Sequence, residues 1–494
     1  MNFISTRGGE KVTGAQAIVQ GLAKDGGLFV PETFPTVSSE ELSAMETMNY
    51  PERAAFVLGK YLADDLGSDY LKEICEKAYA TFTGDDPAPL VKLDDGFFIL
   101  ELFHGPTCAF KDMALTVLPY LLKRSQEVTG IKEDVLILAA TSGDTGKAAL
   151  EGFKDVPGTK VAVFYPDEGV AKMQRLQMAT QSGNNVFVSA VKGNFDDCQR
   201  AVKNLFASAE FNAALKEKGA RLSSANSINF GRLAPQIAYY FSSYLDLLTS
   251  RQIERGTEID FVVPTGNFGD ILAGWYAKQM GLPVRKLICA SNKNRVLADF
   301  FETGKYDVKR EFHRTMSPSM DILVSSNLER LIFEMSGRNT ALTESRMADL
   351  KKKGKYSITE EEKNDISEVF FADYTEEEDC LETISAVFEE YGYVCDPHTA
   401  VAVSVADAYV GYTGADAPTV ILSTASPYKF SQNVLKAITG KTTKDAFNAA
   451  DRLYEQTATP IPENITALKT KEKRFNEVIE KTQTVDAIMR FIGK

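Results

Sequence analysis

The chain has 494 residues, enough for two or three domains, and its 44% hydrophobic and 25% charged residues are the balance of an ordinary globular protein. A formal net charge of −13 argues against a general nucleic-acid binder, which would show a basic face, but leaves room for a local basic pocket that takes a small anion. The six cysteines (Cys75, Cys108, Cys198, Cys289, Cys380, Cys395) form no C-x-x-C pair and the three histidines (His104, His313, His398) are dispersed, so neither a disulfide framework nor a zinc or His-rich metal centre is expected.

Met1 to Gly8 carries no apolar signal core, and no run approaches the roughly 18 apolar residues of a membrane helix, so a cytoplasmic protein is expected. Residues 1–82 read as a separate, mostly helical unit. Ser38-Ser39-Glu40-Glu41 offers a capping box, Pro51 opens a longer amphipathic helix, and Asp25-Gly26-Gly27 turns into an extended piece at Leu28 to Pro31. Thr83 to Pro89 reads as a linker.

From residue 90 the pattern is strand, loop, helix, repeated. Strands are predicted at Phe97–Leu100, Val135–Ala140, Lys160–Tyr165, Val186–Val191, Ile259–Val263, Arg285–Ala290 and Thr419–Leu422, with helices between them. Such alternation implies a parallel sheet covered on both faces. Residues 340–380 are highly charged and read as solvated surface helices, with capping boxes at Thr359/Glu362 and Thr375/Glu378. The C-terminal stretch reads as polar and helical, with no chemistry.

Lys111 stands at a strand-to-helix transition in Phe103-His104-Gly105-Pro106-Thr107-Cys108-Ala109-Phe110-Lys111-Asp112. A lysine is by default a solvated surface charge. Desolvated, it has a lowered pKa and can attack a carbonyl to form a Schiff base. Two Gly-rich loops, Thr141-Ser142-Gly143-Asp144-Thr145-Gly146 and Pro264-Thr265-Gly266-Asn267-Phe268-Gly269-Asp270, each follow a buried strand and open a helix, a geometry that offers N–H groups to an anion. The first is no P-loop: threonine holds position 141 and Lys147 precedes Ala148. No G-x-G-x-x-G follows an early strand, which argues against a nicotinamide-dependent dehydrogenase. A lysine for an aldehyde, one loop for a phosphate and one for a carboxylate together describe a pyridoxal phosphate (PLP) enzyme.

Phe103 to Thr107 with Ala109 to Asp112 closely resembles the cofactor-lysine motif of the threonine synthases. Thr141 to Gly146 resembles that family's substrate-carboxylate loop, Thr265 to Asp270 its phosphate-binding loop, and Ser423-Thr424-Ala425 the segment facing the pyridine nitrogen. Ile4 to Gly8, Asp25 to Glu32, Ser227 to Arg232 and Asp396 to Ala400 also match, so the likeness spans nearly the whole chain. The family usually has histidine where this chain has Ser426.

The resemblance implies a fold-type II α/β architecture, tryptophan synthase β-like, with PLP between two domains. It implies an N-terminal domain over 1–82 and a core over 83–340, whose smaller mobile subdomain covers about 112–232. A charged insert and C-terminal part then occupy 341–494, of which 396–430 returns to the core. It implies conversion of O-phospho-L-homoserine and water to L-threonine and phosphate, the last step of threonine biosynthesis, by a monomer or dimer. Lys111 would hold the cofactor and move the protons. Gly266, Asn267, Phe268, Gly269 and Asp270 would hold the cofactor phosphate, and Thr424 would meet the ring nitrogen. Ser142, Gly143, Asp144 and Thr145 would take the α-carboxylate, with Asp144 pointing away or neutralised. Lys147, Arg232 and Lys172 are candidates for the substrate phosphate, and Asn229 and His104 for lining the site. The alternatives are another fold-type II lyase of serine/threonine dehydratase type, or a catalytically idle PLP-binding homologue.

Overall fold

The computed structural model describes residues 1–141, 143–168, 170 and 172–493, except the side chains of residues 195 and 196. Two parallel sheets carry the molecule. The larger has six strands in the order Phe370–Tyr374, Val284–Ser291, Ile259–Pro264, Thr419–Ser423, Phe97–Glu101, Leu90–Lys92. All neighbours in it are parallel except the edge pair Leu90–Lys92 and Phe97–Glu101. The smaller is all parallel, ordered Val478–Ile479, Val186–Val191, Thr159–Pro166, Asp134–Ala140, Ala220–Ser223. Its central strands are apolar runs buried on both faces, as strands covered by helices on either side must be. The predicted strands all form, within a residue or two of their expected ends.

Three departures have physical reasons. The N-terminal unit is not only helical: Asn2–Ser5, Gly8–Thr13 and Phe29–Pro31 build a three-stranded antiparallel sheet. The first two strands are short and their second is mostly polar, so no alternation betrays them. The charged stretch after residue 340 contains Phe370–Tyr374, an edge strand of the large sheet, besides its surface helices. Thr375 does not cap the next helix; its hydroxyl donates to the Val401 carbonyl, and Glu376 stands at the N-cap. The capping boxes at Ser38/Glu41 and Thr359/Glu362 form as predicted, because they need only residues three apart. Lastly, the polar C-terminus returns to the smaller sheet and adds Val478–Ile479 to its edge.

All six cysteines are buried and unpaired. No described helix is long and apolar enough to cross a membrane.

Candidate active site

The loop before Lys111 is built to place it. Gly105 packs against Asp112, where any Cβ would collide with that side chain. Asp112 accepts from the Thr107 amide at 2.7 Å and the Thr107 hydroxyl at 2.7 Å, closing the turn, and burial pushes its carboxyl up to about 6 against those bonds. Cys108 takes φ 58°. The Phe110 amide then donates to the Thr424 carbonyl at 2.8 Å, and the Ser426 amide to the Cys108 carbonyl at 3.1 Å. The lysine loop is therefore stitched to the Ser423–Pro427 turn, more than 300 residues along the chain.

Lys111 ends 9% exposed, its ammonium 4.8 Å from the centre of the Phe110 ring. Burial lowers its pKa from 10.5 to about 8; the Asp144 carboxylate opposes this, and the Arg232 and Lys429 cations reinforce it. Its Nζ lies 3.1 Å from Ser319 Oγ.

The strand Ile259–Pro264 delivers the second Gly-rich loop to the helix Gly269–Gln279, which carries no side-chain cap. Phe268 sits in the left-handed region at φ 62°. The amides of Gly266, Asn267, Phe268 and Gly269 have no acceptor among the described residues, and they line a cavity of 180 Å³ with Lys111 and Thr424. A Cβ on Gly266 would stand 2.7 Å from the Ser319 carbonyl, so only glycine leaves this cradle open. Asp270 accepts from the Tyr239 and Tyr240 hydroxyls through Oδ1, while burial raises its carboxyl to about 6.

The first Gly-rich loop closes around Thr141, whose hydroxyl accepts from the Gly143 and Gly146 amides at 3.0 Å each. Ser142 lies outside the described residues. Gly143 takes φ 154° and packs on Gln174 where a side chain would not fit. Thr145 and Asp144 line a second cavity of 350 Å³ that shares Lys111 and Ser319 with the first. The amides of Asp144 and Thr145 have no acceptor among the described residues.

Asp144 is neutralised. Lys429 Nζ stands 2.7 Å from its Oδ1, with the two side chains 0% and 3% exposed, and Gln174 donates to the same oxygen at 2.9 Å. Burial alone would raise this carboxyl, but the Lys429 and Lys111 cations hold it well below the usual carboxylate range. Lys429 also donates to the Thr107 carbonyl at 2.9 Å.

The structure thus brings Lys111, Gly266, Asn267, Phe268, Gly269, Asp270, Thr424, Thr145, Asp144 and Arg232 together. Arg232 lines the first cavity, and burial pulls its pKa down to about 10. Gly143, expected to hold the carboxylate, lines neither cavity, because its amide is taken by the Thr141 hydroxyl at 3.0 Å, and four further expected residues lie elsewhere. Lys147 turns away to Glu151 at 2.8 Å and to Gln181, because its place four residues before Glu151 puts both on the far face of the helix Asp144–Gly152. Lys172 pairs with Asp445 on the surface at 2.6 Å. Asn229 is an N-cap: its Oδ1 accepts from the Gly231 amide at 2.9 Å and its Nδ2 donates to the Ile18 carbonyl at 3.0 Å. His104 meets Glu101 at 2.7 Å, away from both cavities. Ser426 is also buried outside the site; its hydroxyl accepts from the Tyr428 amide at 3.4 Å.

Several lining residues escaped the sequence reading. Asn226, Gln199 and Lys203 face the second cavity, and Ser319 and His398 border the first. His398 had a signal, being the third residue of the quoted Asp396-Pro397-His398 start of a helix. Ser319 had none, since it belongs to an irregular segment with a single turn at Pro318–Met320.

Family models match most of the chain. Residues 2–79 match the family model for the threonine synthase N terminus, 82–351 that for pyridoxal-phosphate-dependent enzymes, and 399–492 that for the threonine synthase C-terminal region. The threonine synthase of Pseudomonas aeruginosa is 40% identical over 92% of this chain and 94% of its own length. The human threonine synthase-like 1 protein is 41% identical over 86% of this chain, which spans only 58% of that relative. The crystal structure of a PLP-bound threonine synthase from Brucella melitensis superposes with a TM-score of 0.89 at 36% identity, covering 100% of this chain and 98% of that one. With its two covered parallel sheets, its helical N-terminal region and these relatives, the chain is a fold-type II protein that belongs to the threonine synthase family of PLP-dependent enzymes.

Proposed function

We propose that the protein converts O-phospho-L-homoserine and water to L-threonine and inorganic phosphate. One observation carries the reading: a buried lysine with a pKa of about 8 shares a cavity with a row of loop amides that have no acceptor among the described residues, at a helix N-terminus, and opens onto a second Gly-rich loop.

The residues present fit PLP. The Gly266–Gly269 amides supply the donors a phosphate needs, and the uncapped helix end favours its charge. Lys111 is the amine that would hold the aldehyde, and the Thr424 hydroxyl lines the same cavity as a neutral partner for the ring nitrogen. When bound, PLP supplies an electron sink for charge developing at the substrate Cα.

The chain's own residues do the rest. Lys111 Nζ takes the proton from Cα and later from Cβ, and a pKa of about 8 suits an amine that must both accept and return protons near neutral pH. The Asp144 and Thr145 amides and the Thr145 hydroxyl hold the α-carboxylate. Lys429 cancels the repulsion that Asp144 would exert there. Arg232 and Lys203 are the cations bordering the cavities from which the leaving phosphate can be gripped. Lys147 and Lys172 are already paired with carboxylates.

The test is the product profile. Incubation with O-phospho-L-homoserine should release phosphate and threonine in equal amounts. Phosphate accompanied by 2-oxobutanoate would instead indicate a dehydratase-type lyase, and no release would indicate an idle homologue.

A further inference from the structure

Ser319 touches the reacting amine, and its flanking residues are tied to Asn292, whose Nδ2 donates to Ser317 Oγ at 2.9 Å and to Asp321 Oδ1 at 2.8 Å. We propose that Ser319 is the hydrogen-bond partner that aims Lys111 Nζ, and that the buried Asp396–His398 pair is a positioning device that holds Ser319 in place. The proposal rests on the reading of Lys111 as the lysine that moves the substrate protons.

The chain of contacts is continuous. Asp396 caps the helix Pro397–Thr413, accepting from the His398 amide at 3.0 Å, the Thr399 amide at 3.1 Å and the Thr399 hydroxyl at 2.5 Å. With that carboxylate fixed, it also meets His398 Nδ1. His398 Nε2 accepts from the Ser319 amide at 3.2 Å. An Nε2 that accepts leaves the ring proton on Nδ1, from which it is donated in a hydrogen bond to Asp396, so one tautomer satisfies both bonds. The ring is 1% exposed and packs edge-on against Phe430 at 5.0 Å. His398 is therefore held on both ring nitrogens and one ring edge, and through Nε2 it holds the Ser319 amide.

The hydroxyl of Ser319 completes the chain. Its Oγ lies 3.1 Å from Lys111 Nζ and 3.2 Å from Asp144 Oδ2. A deprotonated Asp144 only accepts, so the single hydroxyl proton goes to Asp144 and the oxygen is left to accept from Lys111. Ser319 thereby holds one N–H of the amine and never offers a proton to its lone pair. That leaves the lone pair free for the substrate. It also ties a residue carried beside the large sheet to one carried by the small sheet.

The test uses Ser319→Ala, Ser319→Thr, His398→Asn and the double variant Ser319→Ala/His398→Asn, each full-length. With the PLP-loaded enzyme and O-phospho-L-homoserine, Ser319→Ala should lower kcat about 10- to 100-fold with KM nearly unchanged, the size expected of a misaimed reacting group. Ser319→Thr, which keeps the hydroxyl, should retain most of kcat. His398→Asn should lower kcat in the same direction, and the double variant should be no worse than Ser319→Ala, because both act through one contact. Independently of turnover, an amine-selective reagent on the apoprotein, read by peptide mass spectrometry at residue 111, should label Lys111 at a rate shifted from wild type in Ser319→Ala, and shifted in the same direction in His398→Asn. That readout needs no substrate, so it decides the Ser319 contact even if wild type makes no threonine, the outcome that would sink the substrate reading instead. Unchanged kcat in Ser319→Ala, losses that multiply in the double variant, or unchanged labelling would each overturn the proposal. Should His398→Asn fail to fold, His398→Gln takes its place in the same comparisons for the positioning pair, while the alanine and threonine variants at 319 decide the Lys111 contact.

Discussion

Replacing Lys429 by methionine isolates the largest electrostatic commitment in the site. The Lys429–Asp144 pair is 2.7 Å apart with both side chains almost wholly buried. Removing one partner of such a pair leaves an uncompensated charge in a poorly solvated place, which costs about 3–5 kcal/mol. The Asp144 carboxylate keeps bonds from Gln174 at 2.9 Å and Ser319 at 3.2 Å, which favours the lower end. The Thr107 carbonyl, which loses its Lys429 donor, adds about 1 kcal/mol. The expected loss is therefore about 4 kcal/mol, large against the 5–15 kcal/mol of a typical native state. Denaturant unfolding of the apoprotein followed by circular dichroism would measure it. The deficit should shrink as pH falls: without Lys429 the buried carboxyl binds its proton more tightly folded than unfolded, so acid favours the folded variant. The decisive control is Asp144→Asn in the same background, which removes the stranded charge and should restore most of the stability. If the double variant is as unstable as Lys429→Met, or the single variant loses less than about 1 kcal/mol, the pair is not what holds the two loops together.

Lys111→Ala should abolish the visible band of the PLP-loaded protein, and borohydride should then fix no cofactor at residue 111 by mass spectrometry. In the apoprotein, a lysine whose pKa falls from 10.5 to about 8 on folding binds its proton more tightly unfolded. Wild-type stability should therefore rise relative to Lys111→Met as pH climbs from about 8 to 10.5, by up to about 3 kcal/mol, measured by denaturant titration at each pH. Lys203→Met should raise KM for O-phospho-L-homoserine about tenfold or more, the effect of losing a charge-assisted contact, whereas Lys147→Met should leave KM within about twofold. Gly266→Ala forces a methyl to 2.7 Å from the Ser319 carbonyl and should cost about 1–3 kcal/mol of stability while weakening PLP binding in equilibrium titrations.

Legibility followed sequence distance. Strand, loop and helix could be read around Lys111 and both Gly-rich loops because apolar runs, glycines and caps act on immediate neighbours. Asn229 illustrates the limit. An asparagine just before a helix can cap it or face a ligand, and only the Gly231 amide at 2.9 Å decides for the cap, while Asn226 three residues earlier lines the cavity. Lys147 is similar: a cation after a Gly-rich loop reads as anion-binding, but helical geometry sends it to Glu151. The edge strands Phe370–Tyr374 and Val478–Ile479 stayed hidden because edge positions tolerate polar residues and need little apolar patterning.

What the residues alone determined is the chemistry on offer: one lysine in a tight turn, two loops that open helices with bare amides, and a threonine after a late buried strand. Each depends on at most a dozen consecutive positions. What only the tertiary structure decided is how those pieces are tuned and aimed. Asp144 is neutralised by Lys429, 285 positions away, and Lys111 is met by Ser319, which His398 secures from a third part of the chain. Such contacts arise where two sheets and their crossover helices converge, and no local pattern encodes which distant side chains will meet there.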